Sequence, residues 1–140
     1  MAKRPIFDTS VFSDYSAEIE KIYLSSLFPS IVLYELVATS IDESTLKRYD
    51  GWRISLNKIH RLITPTASDW WETAKSIRRL YLNKAAQSSK LKTLRNDALL
   101  SRLAVKHDAF IVTNDVDDFE IIKKDMKQLV IVSAKEFFGQ

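Results

Sequence analysis

The chain has 140 residues, 46% hydrophobic and 28% charged, with a net charge of +3, which fits one domain over residues 1–140 with its own core and excludes a disordered composition. Cysteine is absent, removing disulfides, thiolate metal sites and cysteine nucleophiles, and His60 and His107 alone are too few for a multi-histidine zinc site. No apolar run is long enough to span a bilayer, and the opening Met-Ala-Lys-Arg-Pro has no apolar stretch behind it, so the expectation is a cytoplasmic protein without secretory leader or membrane contact.

Pro5-Ile6-Phe7 reads as a short buried strand that ends at Asp8-Thr9-Ser10. Glu18 to Leu24 is helix-like, and Leu27-Phe28 reads as a second short strand. Ser30 is placed to N-cap an apolar helix from Ile31 to Ala38. From Glu43 to Leu62, the residues Leu46, Tyr49, Ile54, Leu56, Ile59 and Leu62 recur at roughly helical spacing. Ile63-Thr64-Pro65-Thr66 is a break. Ser68 then caps a long amphipathic helix from Asp69 towards Ala86, and the polar, basic stretch Gln87 to Thr93 reads as a loop. Within the long helix Trp70 and Trp71 point about 100° apart, which places one in the core or a subunit interface and leaves the other partly exposed. Asp97 to His107 is a helix, Ala109 to Thr113 a strand, Asp118 to Lys124 a helix, and Leu129 to Val132 a last strand before a short tail.

Apolar strands alternating with helices predict an α/β fold, a sandwich around a mainly parallel sheet. The only glycines are Gly51 and Gly139, so a Gly-rich phosphate loop is excluded, and with it the P-loop and dinucleotide-binding readings.

The topology draws acidic residues together. A helix beginning at Asp97 runs away from its start and the strand to Thr113 runs back, so Asp97 and Asp115 fall on the same side of the domain. Asp8 also follows a strand, and in a parallel sheet strand ends of one polarity share one edge, where such sheets bind ligands. Glu35 lies among Val32, Leu33, Leu36 and Val37, pointing either to solvent or into that edge. Each acid has a plain structural alternative: a helix cap for Asp97, a capping box with Asp118 for Asp115, a turn for Asp8. If they converge, their mutual repulsion calls for a divalent cation, and an all-oxygen donor set suits Mg²⁺ or Mn²⁺. Asp8, Asp97 and Asp115 are then ligands, Glu35 a ligand or a base, and Asp118 a supporting or second-ion residue. The Ser10 and Thr113 hydroxyls can orient carboxylates or waters.

Charge is unevenly spread. Lys47 to Arg95 holds twelve Lys/Arg against three Asp/Glu, while the remainder holds nine against fifteen. A basic middle beside acidic ends fits one surface for phosphates and another for cations, although charged outer helix faces give the same count. Lys84, Lys90, Lys92 and Arg95 approach Asp97 along the chain and are candidates to hold phosphates.

In order and spacing these motifs resemble the PIN-domain family, and within it the small VapC-type toxins of toxin–antitoxin pairs. The resemblance rests on Asp8-Thr9-Ser10 after the first strand, Glu35 in Val32-Leu33-Tyr34-Glu35-Leu36, Asp97 opening Asp-Ala-Leu-Leu, and Thr113-Asn114-Asp115 followed by Asp118-Phe119. It implies a three-layer α/β/α domain acting as a metal-dependent ribonuclease, with acidic residues around one or two Mg²⁺ or Mn²⁺ ions. It also implies an RNA substrate, often tRNA or ribosomal RNA, a cognate antitoxin and a homodimer. A rival reading keeps the fold as a non-catalytic RNA-binding or ribosome-associated module. A phospho-accepting receiver domain, with Lys135 as its late lysine, lacks the required acid pair after the first strand.

Overall fold

The computed structural model describes residues 3–139. Buried β-branched and aromatic side chains define the strands: β1 (Pro5–Phe7), β4 (Phe110–Thr113) and β5 (Ile131–Ser133) form a parallel sheet in the order β1-β4-β5. Ile6 pairs with Ile111, Phe7 with Val112, and Thr113 with Ser133. A second parallel pair joins β2 (Phe28–Pro29) to β3 (Leu62–Ile63). The Leu27 N–H donates to the Pro5 carbonyl at 3.0 Å, tying that pair to the free edge of β1.

Eight helices surround the strands among the described residues: α1 (Phe12–Ile22), α2 (Ser30–Ala38), α3 (Glu43–Lys58), α4 (Ala67–Leu82), α5 (Ser88–Thr93), α6 (Arg95–Lys106), α7 (Val116–Lys123) and α8 (Ala134–Phe138). This is the expected α/β class, a three-layer α/β/α sandwich about a parallel sheet. Ile6, Phe7, Ile111, Val112, Leu99, Leu100, Leu103 and Phe119 are among the most buried side chains, so the sheet and the inner faces of α6 and α7 carry the core.

Several boundaries differ from the sequence reading. Thr66, not Ser68, caps α4: its hydroxyl accepts from the Asp69 N–H at 3.2 Å, and Asp69 accepts from the Thr66 N–H at 2.9 Å. Only Thr66 has an acid three residues on to close that reciprocal box. Ser30 lies inside α2, with Pro29 as the extended residue before it. Helix α1 begins at Phe12, earlier than the predicted Glu18. Helix α3 stops at Lys58, releasing Leu62 into β3. The stretch read as a loop contains α5, held down by the buried Leu91, and the tail forms α8.

Both indoles are exposed, Trp70 by 55% and Trp71 by 66%, so neither is in the core. The reason lies on the opposite face of α4. Its buried residues are Asp69, Thr73, Ser76 and Leu80, a largely polar stripe. Asp69 is 0% exposed and accepts from Arg102 Nε at 3.1 Å and Lys106 Nζ at 3.0 Å, both on α6. Burial raises the Asp69 carboxyl, but the hydrogen bonds from Thr66, Lys106 and Arg102 outweigh it and hold the group well below the usual carboxylate range.

Three helices end on a residue in the left-handed region without glycine: His60 after α3 (φ 57°), Lys84 after α4 (φ 55°) and Asp108 after α6 (φ 53°). In each case the next N–H reaches back across the last turn, Arg61 to the Leu56 carbonyl, Ala85 to Leu80 and Ala109 to Ala104. This is the Schellman closure. No helix of the described residues is long and apolar enough to cross a membrane.

Candidate functional site

The carboxyl ends of β1 and β4 adjoin, because their register is parallel and unshifted. Asp8 follows β1, and its N–H extends the ladder by donating to the Val112 carbonyl at 3.0 Å. Its side chain is buried and does not cap the 3₁₀ turn that it precedes. Instead Oδ2 accepts from Ser10 Oγ at 2.7 Å and from Thr113 Oγ1 at 2.8 Å. Each hydroxyl is itself oriented by a backbone donor: the Asn114 N–H reaches Ser10 Oγ at 3.1 Å, and the Asp115 N–H reaches Thr113 Oγ1 at 2.8 Å. With those lone pairs occupied, both hydroxyl protons are free to face the carboxylate.

The other acids arrive on helices. Glu35, half-buried on α2, accepts from Thr9 Oγ1 at 3.2 Å, so it turns towards the site rather than to solvent. Asp97 is the third residue of α6, inside the first turn, and caps nothing. Asp115 precedes α7 and likewise makes no side-chain cap; the capping-box alternative with Asp118 therefore fails. Asp118 stands in the first turn of α7 and pairs with Lys90 Nζ at 2.7 Å. Acids at the starts of α6 and α7 also meet the positive ends of the helix dipoles.

These groups repel one another. Asp97 is pushed up to about 7, first by burial and then by the charges of Asp8, Asp118, Asp115 and Glu35. Asp115 is raised by burial, Asp8 and Asp118, against the pull of Lys90. Burial also raises Glu35, opposed by its Thr9 hydrogen bond and reinforced by Asp8. The four acids singled out from the sequence thus share one electrostatic environment. They are not gathered at a point: among the described residues no three His, Asp or Glu side chains stand close enough together to grip one ion as they lie. The donor set fits a hard divalent cation in chemistry, being all oxygen, anionic and short of positive charge.

The basic candidates divide. Lys90 reaches the acids directly. Lys92 and Arg95 line a groove of about 490 Å³ with Arg78, Tyr81 and Ile77. Lys84 is exposed past the end of α4, where it terminates the helix. Two contributors were not assigned from sequence. Thr9 holds Glu35, and the Asn114 side chain pins the turn by donating to the Ser10 carbonyl at 3.0 Å. Their adjacency to Ser10 and Thr113 was the available signal.

No family model matches this sequence, and no curated protein matches it. Among solved structures the chain is similar to a chain in the crystal structure of VapBC2 from Rickettsia felis bound to a DNA fragment from their promoter. The TM-score is 0.53 at 19% identity, covering 92% of this chain and 97% of that one. The likeness spans nearly both chains and shows a shared fold, the three-layer α/β/α sandwich that the ordered motifs implied.

Proposed function

We propose that this protein is a Mg²⁺- or Mn²⁺-dependent endoribonuclease, the toxin component of a toxin–antitoxin pair, working in the cytoplasm. The observation that carries the reading is the placement of Asp8, Glu35, Asp97 and Asp115 about the carboxyl edge of a parallel sheet, with Asp8 and Glu35 held by Ser10, Thr113 and Thr9; burial first, and the neighbouring acids second, raise Asp97 to about 7 there. Asp8, Glu35, Asp97 and Asp115 would hold the cation, and Asp118 would support it. Bound there, a divalent ion supplies a water of lowered pKa and positive charge beside the phosphodiester. Ser10 and Thr113 fix Asp8, and Thr9 fixes Glu35. Glu35 can take the proton of the attacking water. Lys84, Lys90, Lys92 and Arg95 are assigned to the RNA phosphates.

The partner assignments follow the same reading. The similar VapBC2 chain comes from a complex, which supports a protein antitoxin here; the apolar groove between α2 and α3, lined by Leu33, Val37, Leu46 and Tyr49, is a fitting seat for it. The exposed Trp70 and Trp71 are assigned to a homodimer contact.

The test is cleavage of a mixed RNA pool with Mg²⁺ or Mn²⁺, with and without EDTA. Metal-dependent cutting that Asp8→Asn and Asp97→Asn abolish is the expected result. Metal-independent RNA binding without cutting would instead favour the non-catalytic module, against which the intact acidic set argues.

A further inference from the structure

Lys90 is the one basic candidate that reaches into the acidic edge. It rides on α5, whose place is set by the neighbouring Leu91 and Leu94, both almost fully buried. Its ammonium lies 2.7 Å from Asp118 Oδ1, and the pair is only partly shielded, Lys90 being 43% exposed and Asp118 27%. The same charge acts on Asp115 and Asp97. An isolated surface pair of this kind contributes little. Here, however, the acidic partner belongs to a group whose members repel one another, and the ammonium is the positive charge placed among them.

We propose that Lys90 is a resident counter-ion of the carboxylate cluster, one that competes with a divalent cation for Asp118 and so weakens that cation's binding. The proposal rests on the metal-site reading above. While Lys90 engages Asp118, that carboxylate is turned to α5. Entry of a divalent ion places a double positive charge near the ammonium and draws on the same carboxylate, so the Lys90 pair must loosen. The site then binds its cation less tightly than its acids alone would. The metal-free fold gains the complementary benefit, since the ammonium offsets repulsion between the starts of α6 and α7.

Mn²⁺ titration by calorimetry, with thermal unfolding in EDTA and in saturating Mn²⁺, tests this on the full chain. Lys90→Met should bind Mn²⁺ about three- to tenfold more tightly than wild type, as loss of one nearby like charge implies. It should also melt lower in EDTA and regain wild-type melting with Mn²⁺. Lys90→Arg keeps the charge and should stay near wild type. Asp97→Asn should lose binding. If Lys90 served only RNA phosphates or local packing, its removal would leave Mn²⁺ affinity unchanged. An unchanged or weaker affinity in Lys90→Met, with Asp97→Asn still defective, overturns the counter-ion role and leaves the metal site standing. A wild-type protein that binds no Mn²⁺ overturns both.

Discussion

Ser10 and Thr113, 103 positions apart, donate to the same oxygen, Oδ2 of Asp8, at 2.7 and 2.8 Å. Each is held in register by a backbone N–H from the turn after β4. Asp8 therefore has one oxygen committed to the protein and its orientation fixed from both sides.

Removing the Thr113 hydroxyl should release that orientation. Thr113→Val keeps shape but deletes a buried hydrogen bond to a charged group, worth roughly 1.5–3 kcal/mol. It should also lower the proposed nuclease activity by about 10- to 100-fold, the usual effect of losing a group that orients a ligand. Thr113→Ser should retain most of both. Chemical denaturation and RNA cleavage rates check the pair of variants.

Asp97 makes metal-free stability depend on pH. Its folded pKa is raised from 3.8 to about 7, so the folded state binds a proton more tightly than the unfolded chain. Its contribution is fully present below pH 3.8 and is lost as pH rises through 7. The loss should be roughly 1–3 kcal/mol, less than the full 1.4 kcal/mol per unit because solvent screens part of the interaction. In EDTA, Asp97→Asn should remove this decline and be more stable than wild type at pH 7. A wild-type profile as flat as the variant's would contradict the coupling.

Asp69 should behave in the opposite way. It is buried against Arg102 and Lys106, and its folded pKa is depressed, so its stabilisation is present above the unfolded carboxylate range and lost as pH falls below it. Asp69→Asn strands two cations and should cost roughly 3–5 kcal/mol. Cleavage per folded molecule should be unaffected, since Asp69 lies away from the carboxyl edge.

Lys84 occupies a left-handed position that suits glycine. Lys84→Gly should stabilise by about 0.5–1 kcal/mol, the residual strain of a side chain there. Comparison with Lys84→Ala, which keeps the strain, separates backbone from charge: RNA affinity that falls equally in both would support the phosphate assignment.

If the indoles of α4 hold a second copy, Trp70→Ala with Trp71→Ala should be monomeric by sedimentation. Its melting temperature extrapolated to low concentration should be unchanged, because both rings are exposed in the single chain.

What the sequence made legible follows from where the determining forces act. The strands at Ile6 and Ile111 are short apolar runs between polar breaks, and the parallel polarity that brings Asp8 beside Thr113 follows from strand–helix alternation. The sequence leaves the orientation of Glu35 open because it depends on Thr9, 26 positions away. Helix α5 is not legible because a six-residue polar segment has no amphipathic period to detect; it is held by Leu91 within it and Leu94 at its end. The core alternative for a tryptophan fails because α4 reverses the usual rule. Its inward stripe carries Asp69, Thr73 and Ser76; Asp69 is met by Arg102 and Lys106 of α6 and Ser76 by Asp125, partners distant in sequence that leave no trace in local spacing. The Lys90–Asp118 pair was hidden for the same reason.

The link between Asp8 and Thr113 crosses 105 positions, so no chain that stops short of β4 can assemble this centre. On a ribosome the centre would stay unassembled until most of the length had emerged and the first strand had found the fourth. Cutting the polypeptide before α5 should likewise separate Asp8 and Glu35 from Asp97 and Asp115, and if the protein is the nuclease proposed above, RNA cleavage should return only when the two halves are mixed and fold together.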